Sequence, residues 1–423
     1  MPPVVSNTSE SNLAPARAPL IFQFVSPVIE SLNPASFLAH WYILMHSFTG
    51  ILKQLTQSRS LIATLLCCAL AAPLAAEERD PARKPFTVTE SYRQLADSME
   101  PLQAWQATNA DEHQAWRKQF HPTVVRILGK MPERVPLEVK WAEEKEFDTF
   151  TRHKIYIRTE AAYWAPVYYF VPHKLKKKVP AIVCMHGHSG IIPYIDAGKT
   201  KAEKEKTRQS ELDYAVYFAK HGYITAAIVM RGWNETAGDQ DRGVSHTKRS
   251  CLQMTMNALL IGSSPQGQRS WDAMRVIDFL QSQDQVDPNR IAAAGLSGGG
   301  ATAMYLPVLD DRVKLTMIAG AFSTYRDSYY AMPHCLCQCL PNMMRYGEMS
   351  DVVALHAPRP VLLINGIQDK IFPIDAAREG YQKLQEVYKV LDAEENIDAD
   401  FFQGGHRWSN NKSLEFLAKH FGE

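Results

Sequence analysis

Residues 291–300 read IAAAGLSGGG, an apolar run that breaks at once into Gly295-Leu296-Ser297-Gly298-Gly299. This is G-x-S-x-G placed between a buried-strand pattern and a helix start, the context in which that motif has a geometric meaning. A sharp turn after the strand would project Ser297 outward. Flanking glycines would let neighbouring backbone approach without Cβ clashes. The helix beginning there would aim unpaired N–H groups at developing negative charge.

The rest of the chain supplies the frame that such a turn needs. Residues 81–130 read as helical, with Pro122, Pro132 and Pro136 punctuating the exit. From Leu137 the period changes to two, and LEVKW, HKIYIRT and APVYYFVP are strand-like. PAIVCMHG, YITAAIVM, LTMIAGAF and PVLLINGIQD are apolar runs of buried-strand length, and FFQGG closes a last one. Between them, 212–220, the segment around Trp271–Leu280, 376–391 and 413–421 carry helical spacing, the second of these as an amphipathic helix. DPNR reads as a turn, and Lys199–Arg208 as an exposed charged helix. Strands alternating with helices predict an α/β fold with a mostly parallel central sheet flanked by helices, preceded by an N-terminal helical and strand extension.

Lys+Arg (46) and Asp+Glu (45) nearly cancel, giving a net charge of +1, and 46% of residues are hydrophobic. That balance argues against disorder and against a nucleic-acid partner. Ser60–Ala76 is uncharged, follows Lys53 and Arg59, and ends in small residues before Glu77. This is the layout of a secretory signal peptide near residues 53–76, cleaved near Ala76, with a retained N-terminal anchor as the alternative. Residues 1–44 precede it unusually far, so translation is expected to start at Met45 rather than Met1. The expected division is a leader and signal over 1–76, an extension over 77–150 packing on the core, and a catalytic domain over 151–423. The mature chain would be secreted or periplasmic, with no stable membrane span.

A serine hydroxyl needs a base, and the base needs an orienting carboxylate. Asp369 follows the run VLLINGIQD, and His406 follows FFQGG. In the order Ser, Asp, His, each stands just past a strand end, where open α/β sheets gather their sites. The candidate catalytic residues are therefore Ser297, Asp369 and His406. The oxyanion donors are expected from the backbone of Gly298 and of His188 in the loop His186-Gly187-His188-Ser189-Gly190. Arg231, Trp233 and Trp408 are candidate substrate-binding residues, with loop bracing by Arg231 and packing by Trp408 as the alternatives.

Loss of the signal would leave five of the seven cysteines. Cys335, Cys337 and Cys339 alternate, as on one face of a strand. A disulfide between residues i and i+2 is strained, so pairing with Cys251 or Cys184 is favoured over pairing within the segment. Zinc sites commonly use longer Cys gaps, and His186 and His188 lack a suitable spacing, so no metal and no cofactor is assigned.

HGHSG, RGWNE (231–235), SWDAMRVIDFL, GLSGG, NGIQDKIFP and GGHRW together resemble the α/β-hydrolase superfamily, over about residues 150–423, and within it the acetyl xylan esterase and dienelactone-hydrolase-like branch. The resemblance implies a serine carboxylic-ester hydrolase with Ser297 as nucleophile, Asp369 as acid and His406 as base. It also implies a small-molecule or polysaccharide ester substrate, acetylated carbohydrate first. The alternatives are a serine peptidase of prolyl-oligopeptidase type and a glucuronoyl or other ester hydrolase. The glucuronoyl esterase branch usually carries Arg after the nucleophile, where this chain has Gly298.

Overall fold

The computed structural model describes residues 87–238 and 250–422, all within one folded unit, Pro85–Glu423. The expected leader, signal and start site lie outside the described residues. Among the described residues, no helix is long and apolar enough to cross a membrane.

Nine strands form one sheet: β1 (Val139–Glu146), β2 (Phe150–Glu160), β3 (Tyr163–Pro172), β4 (Val179–Met185), β5 (Ile224–Ile228), β6 (Val286–Leu296), β7 (Val313–Ala319), β8 (Val361–Gly366) and β9 (Ile397–Phe402). Their spatial order is β1-β2-β3-β5-β4-β6-β7-β8-β9. The pairs β1/β2, β2/β3 and β3/β5 are antiparallel, and every pair from β5/β4 to β8/β9 is parallel. β1, from the region expected to be an extension, is therefore the edge of the same sheet.

Alternation along the parallel strands splits the core into two layers. Val183 and Met185 of β4, Ile291 and Ala293 of β6, and Val361 and Leu363 of β8 face one layer. Ile182, Cys184, Ala292, Ala294, Leu362 and Ile364 face the other. Burial on both faces explains why these strands read as continuous apolar runs. On the first face lie α1 (Ala110–Leu128), α2 (Cys251–Leu260), α3 (Pro265–Gln281) and α4 (Gly298–Leu309). The second is covered by α5 (Ser413–Phe421) and by the short helix Tyr214–Lys220.

Three local expectations are corrected. Pro122 lies inside α1 rather than at its exit. The helix continues because Phe120, Val124 and Leu128, all fully buried, hold the turns on either side. That burial offsets the backbone bond that proline removes. DPNR lies within β6, although Asp287 Oδ1 still accepts from the Asn289 N–H at 2.9 Å, as in a turn. α3 is not amphipathic: Gln266, Arg269, Ser270, Asp272 and Arg275 are buried along with its apolar side. Several of their polar groups are matched by partners, as when Asp272 Oδ1 accepts from the Thr159 hydroxyl at 2.7 Å, while Ser270 Oγ and Arg275 Nε have none.

Candidate active site

The order of the sheet creates the site. From β4 the chain crosses to β5 on one side and later enters β6 on the other, so the β4/β6 border is a topological switch point. Loops diverge there and leave a crevice at the carboxyl ends of the strands.

Ser297 closes β6 and precedes α4 with φ 57° and ψ −119°. A non-glycine residue at such a φ is strained, and the surroundings enforce it. Its N–H donates to the Ala319 carbonyl at 2.9 Å, and its carbonyl accepts from the Ala301 N–H at 2.9 Å. The turn needs the glycines beside it. A Cβ on Gly295 would stand 2.1 Å from the Gly299 oxygen, and one on Gly299 would stand 1.9 Å from the Met185 oxygen. Gly298 is the first residue of α4, so its N–H belongs to the helix end that has no partner within the helix.

Asp369 and His406 meet after β8 and β9. His406 Nδ1–H donates to Asp369 Oδ2 at 2.7 Å, which leaves the other ring nitrogen available for chemistry. The second carboxylate oxygen accepts from the N–H groups of Ile371, at 2.8 Å, and Phe372, at 3.2 Å. Asp369 is only 5% exposed, so its carboxylate is held by donors rather than by water. The Phe372 ring stacks on His406 with centroids 5.9 Å apart.

The loop after β4 forms the opposite wall. His186 Nδ1–H donates to the Gly187 carbonyl at 2.8 Å, and Nε2 accepts from the Met230 N–H at 2.9 Å. Burial pushes His186 down to about 3, which keeps the ring neutral for that acceptance. The Gly187 N–H donates to the Tyr194 hydroxyl oxygen at 2.9 Å. His188 lays its ring over Gly298: a Cβ there would be 2.9 Å from His188 Cε1.

Ser297, His406 and His188 line one cavity of about 680 Å³, together with Tyr194, Lys206, His334 and Phe372. A larger groove of about 1130 Å³, bordered by Trp105, Asn109, Glu348 and Lys383, holds none of the three candidate catalytic residues. The smaller cavity is the candidate site, because of these two it alone is lined by both the strained serine and the carboxylate-bound imidazole.

The cavity lining omits Arg231, Trp233 and Trp408. Arg231 pairs with Asp272, its Nε at 2.9 Å and Nη2 at 2.7 Å, and with Glu160, and lies over the Tyr163 ring. It ties β2 and β3 to α3. Trp233 is buried with its ring edge-on to His188, and Trp408 is fully buried and stacked on Tyr214 at 4.1 Å. All three shape the frame behind the cavity. Sequence reasoning missed Tyr194 and Phe372. His334 stacks on Tyr329 at 4.4 Å, and burial, with the His188 and His406 charges, pushes it below the ordinary imidazole value. The helix around Lys206, read as purely solvent-facing, contributes that residue to the cavity's edge.

The cysteines also depart from expectation. Leu336–Gln338 form a tight helical turn instead of a strand. That turn nevertheless brings Cys335 Sγ and Cys337 Sγ to 3.3 Å. Cys184 is buried in the other core layer, apart from them.

Comparison with known proteins agrees with this architecture. A Bacillus subtilis (strain 168) protein named as a hydrolase, YtaP, is 24% identical over 278 residues, covering 64% of this chain and 88% of its own. A Bacteroides fragilis NCTC 9343 structure described as an acetyl xylan esterase superposes with a TM-score of 0.64 at 19% identity, covering 75% of this chain and 82% of that one. A family 15 glucuronoyl esterase from Teredinibacter turnerae T7901 gives 0.57 at 17% identity, covering 77% and 90%. The Abhydrolase family model matches residues 86–412, nearly all of the folded unit, and the chain belongs to that family of α/β hydrolases.

Proposed function

We propose that the protein is a serine carboxylic-ester hydrolase that removes acetyl groups from carbohydrate. The observation that carries this reading is the shared cavity. A strained serine on a strand-to-helix turn and an imidazole bound through Nδ1 to a buried carboxylate open onto the same space.

In the proposed reaction Ser297 attacks the ester carbonyl while His406 Nε2 takes its proton. Asp369 holds the ring in the tautomer that leaves Nε2 as acceptor, and stabilises the imidazolium. The Gly298 and His188 backbone N–H groups receive the oxyanion. The protonated His406 then gives its proton to the departing alcohol. Water attacks the acyl-enzyme by the same route in reverse order, releasing the acid and restoring Ser297. No step calls for a cofactor. Export through the segment near residues 53–76 belongs to the same reading, and would place the enzyme where it meets polysaccharide or other environmental esters.

Acetyl rather than uronate ester is favoured by the wall at Gly298. The His188 ring occupies the space that a side chain at that position would need. The test is hydrolysis of p-nitrophenyl acetate, acetylated xylo-oligosaccharides, methyl glucuronate esters and a peptide amide by wild type and Ser297→Ala. The expected result is turnover of the acetyl esters, falling by on the order of 10⁴–10⁶ in the variant. Equal rates in the two proteins would remove Ser297 from the chemistry. Preference for the uronate ester or the amide would move the substrate class.

A further inference from the structure

Behind the His188 wall, four metal-ligating side chains converge. The ligand atoms of His188, Cys251, Cys335 and Cys337 all lie within 4.8 Å of one another. His188 Nε2 is 3.5 Å from Cys337 Sγ, and Cys335 Sγ is 3.3 Å from Cys337 Sγ. They come from three segments: the loop after β4, the start of α2, and the 335–337 turn. We propose that these four residues bind one zinc ion, as a structural site built into the wall of the cavity.

Three observations support a metal over unligated thiols or a disulfide. The first is spacing. Zn–S bonds of about 2.3 Å and Zn–N bonds of about 2.0–2.1 Å place tetrahedral ligand atoms roughly 3.5–3.8 Å apart. The Cys335–Cys337 and His188–Cys337 separations, 3.3 and 3.5 Å, lie close to that range, and every other pair lies within 4.8 Å, whereas a disulfide needs about 2.05 Å. The second is number. A disulfide between any two of the three cysteines leaves the third thiol and the imidazole packed against it without a role, while a tetrahedral ion uses all four. The third is charge. Three thiolates around a divalent ion leave one net negative charge in a buried place. Arg269, 2% exposed, donates through Nη1 to Cys337 Sγ at 3.1 Å and has Nη2 4.0 Å from Cys251 Sγ. Its guanidinium is also fixed by the Arg231 carbonyl, at 3.0 Å from Nη2. A buried cation aimed at the sulfurs offsets that charge. Gln266 Nε2 holds the turn itself by donating to the Cys337 carbonyl at 3.3 Å.

On binding, the three thiols lose their protons to solvent and the neutral imidazole coordinates through Nε2. Four protein ligands complete the tetrahedron and leave no position for water, so the ion is structural and not a Lewis acid for the substrate. Its effect on the site is mechanical. It would clamp the His188 loop to the 335–337 turn, and so fix the ring over Gly298. This consequence for catalysis rests on the ester-hydrolase reading; the metal site itself does not.

The test uses the full chain purified without chelator. Elemental analysis should find about one zinc per folded chain. Cobalt(II) exchanged into the protein should give the intense visible bands of tetrahedral thiolate coordination. Cys335→Ser and Cys251→Ser should each lose the metal or bind it many-fold more weakly, and Cys339→Ser, outside the group, should keep it. Zinc below a tenth of an equivalent after incubation with zinc at neutral pH would overturn the proposal. So would a disulfide mapped among Cys251, Cys335 and Cys337 in the wild-type chain, a measurement that does not depend on any variant folding. A zinc-bearing chain inert on every ester would sink the functional reading alone; an active chain without zinc would sink the metal site alone.

Discussion

The two walls that flank Ser297 are built by different chemistry. On one side Asp369 and His406 are joined by a single charge-assisted hydrogen bond, with backbone N–H groups holding the carboxylate. On the other side His188 meets three sulfurs and a buried guanidinium. In the proposed reaction the first wall would keep a proton mobile at Nε2 while fixing Nδ1, which a hydrogen bond to a carboxylate does. The second wall has only to stay still, and coordination does that with shorter, directional bonds. Under the two proposals, opposite demands on two imidazoles match their opposite partners.

The largest expected effect comes from breaking the first wall. Asp369→Asn keeps an acceptor for the Ile371 and Phe372 N–H groups but turns the imidazole to the wrong tautomer. Its kcat should fall on the order of 10³–10⁴-fold with KM little changed. A drop under tenfold would mean that Asp369 merely packs. Breaking the second wall should cost less chemically and more structurally. Zinc-depleted protein should lose rate and thermal stability together and recover both when zinc is restored.

The smallest effect belongs to the frame that carries both walls, and it sets the background for acid titrations. His356, 1% exposed, is pushed down to about 3 by burial and then by the Arg359 charge, and its Nε2–H donates to the Met304 carbonyl at 2.8 Å. An imidazole depressed in the fold contributes stability above its unfolded value of about 6.5 and loses it as pH falls toward the folded value. The loss from this one group can reach about 1.4 kcal/mol per pH unit. Melting temperatures from pH 7.5 to 5 should therefore fall less steeply in His356→Gln than in wild type. Equal slopes would show that His356 is not the source.

The same contrast explains what was legible in the sequence. Ser297, Asp369 and His406 each follow an apolar strand in a short local motif, so chain order and strand ends marked them as one candidate group; His406 bonds Asp369 and shares a cavity with Ser297. The parallel frame was legible for the same reason: β4, β6, β7 and β8 are buried on both faces and read as unbroken apolar runs. The cysteine wall was legible only in part: the strain of an i, i+2 disulfide pointed to Cys251 as a neighbour of the segment, but nothing pointed to His188. Its members come from three distant segments, and a tight turn at Leu336–Gln338, not a strand, sets the Cys335–Cys337 approach. Arg231, Trp233 and Trp408 sit close in sequence to the site's loops, but sequence proximity does not reveal which way a loop side chain turns. Asp272 and Glu160 draw Arg231 inward, and the Tyr214 ring holds Trp408.

If Ser297 is the activated nucleophile of this cavity, it should react with acyl-transfer inhibitors far faster than an ordinary serine. The most direct measurement is labelling of the folded chain with an alkyl fluorophosphonate, followed by peptide mapping. One phosphonyl group per chain is expected, on the peptide containing Ser297, with its rate of attachment collapsing in His406→Ala. Labelling at another residue, or none while ester hydrolysis proceeds at full rate, would contradict the assignment.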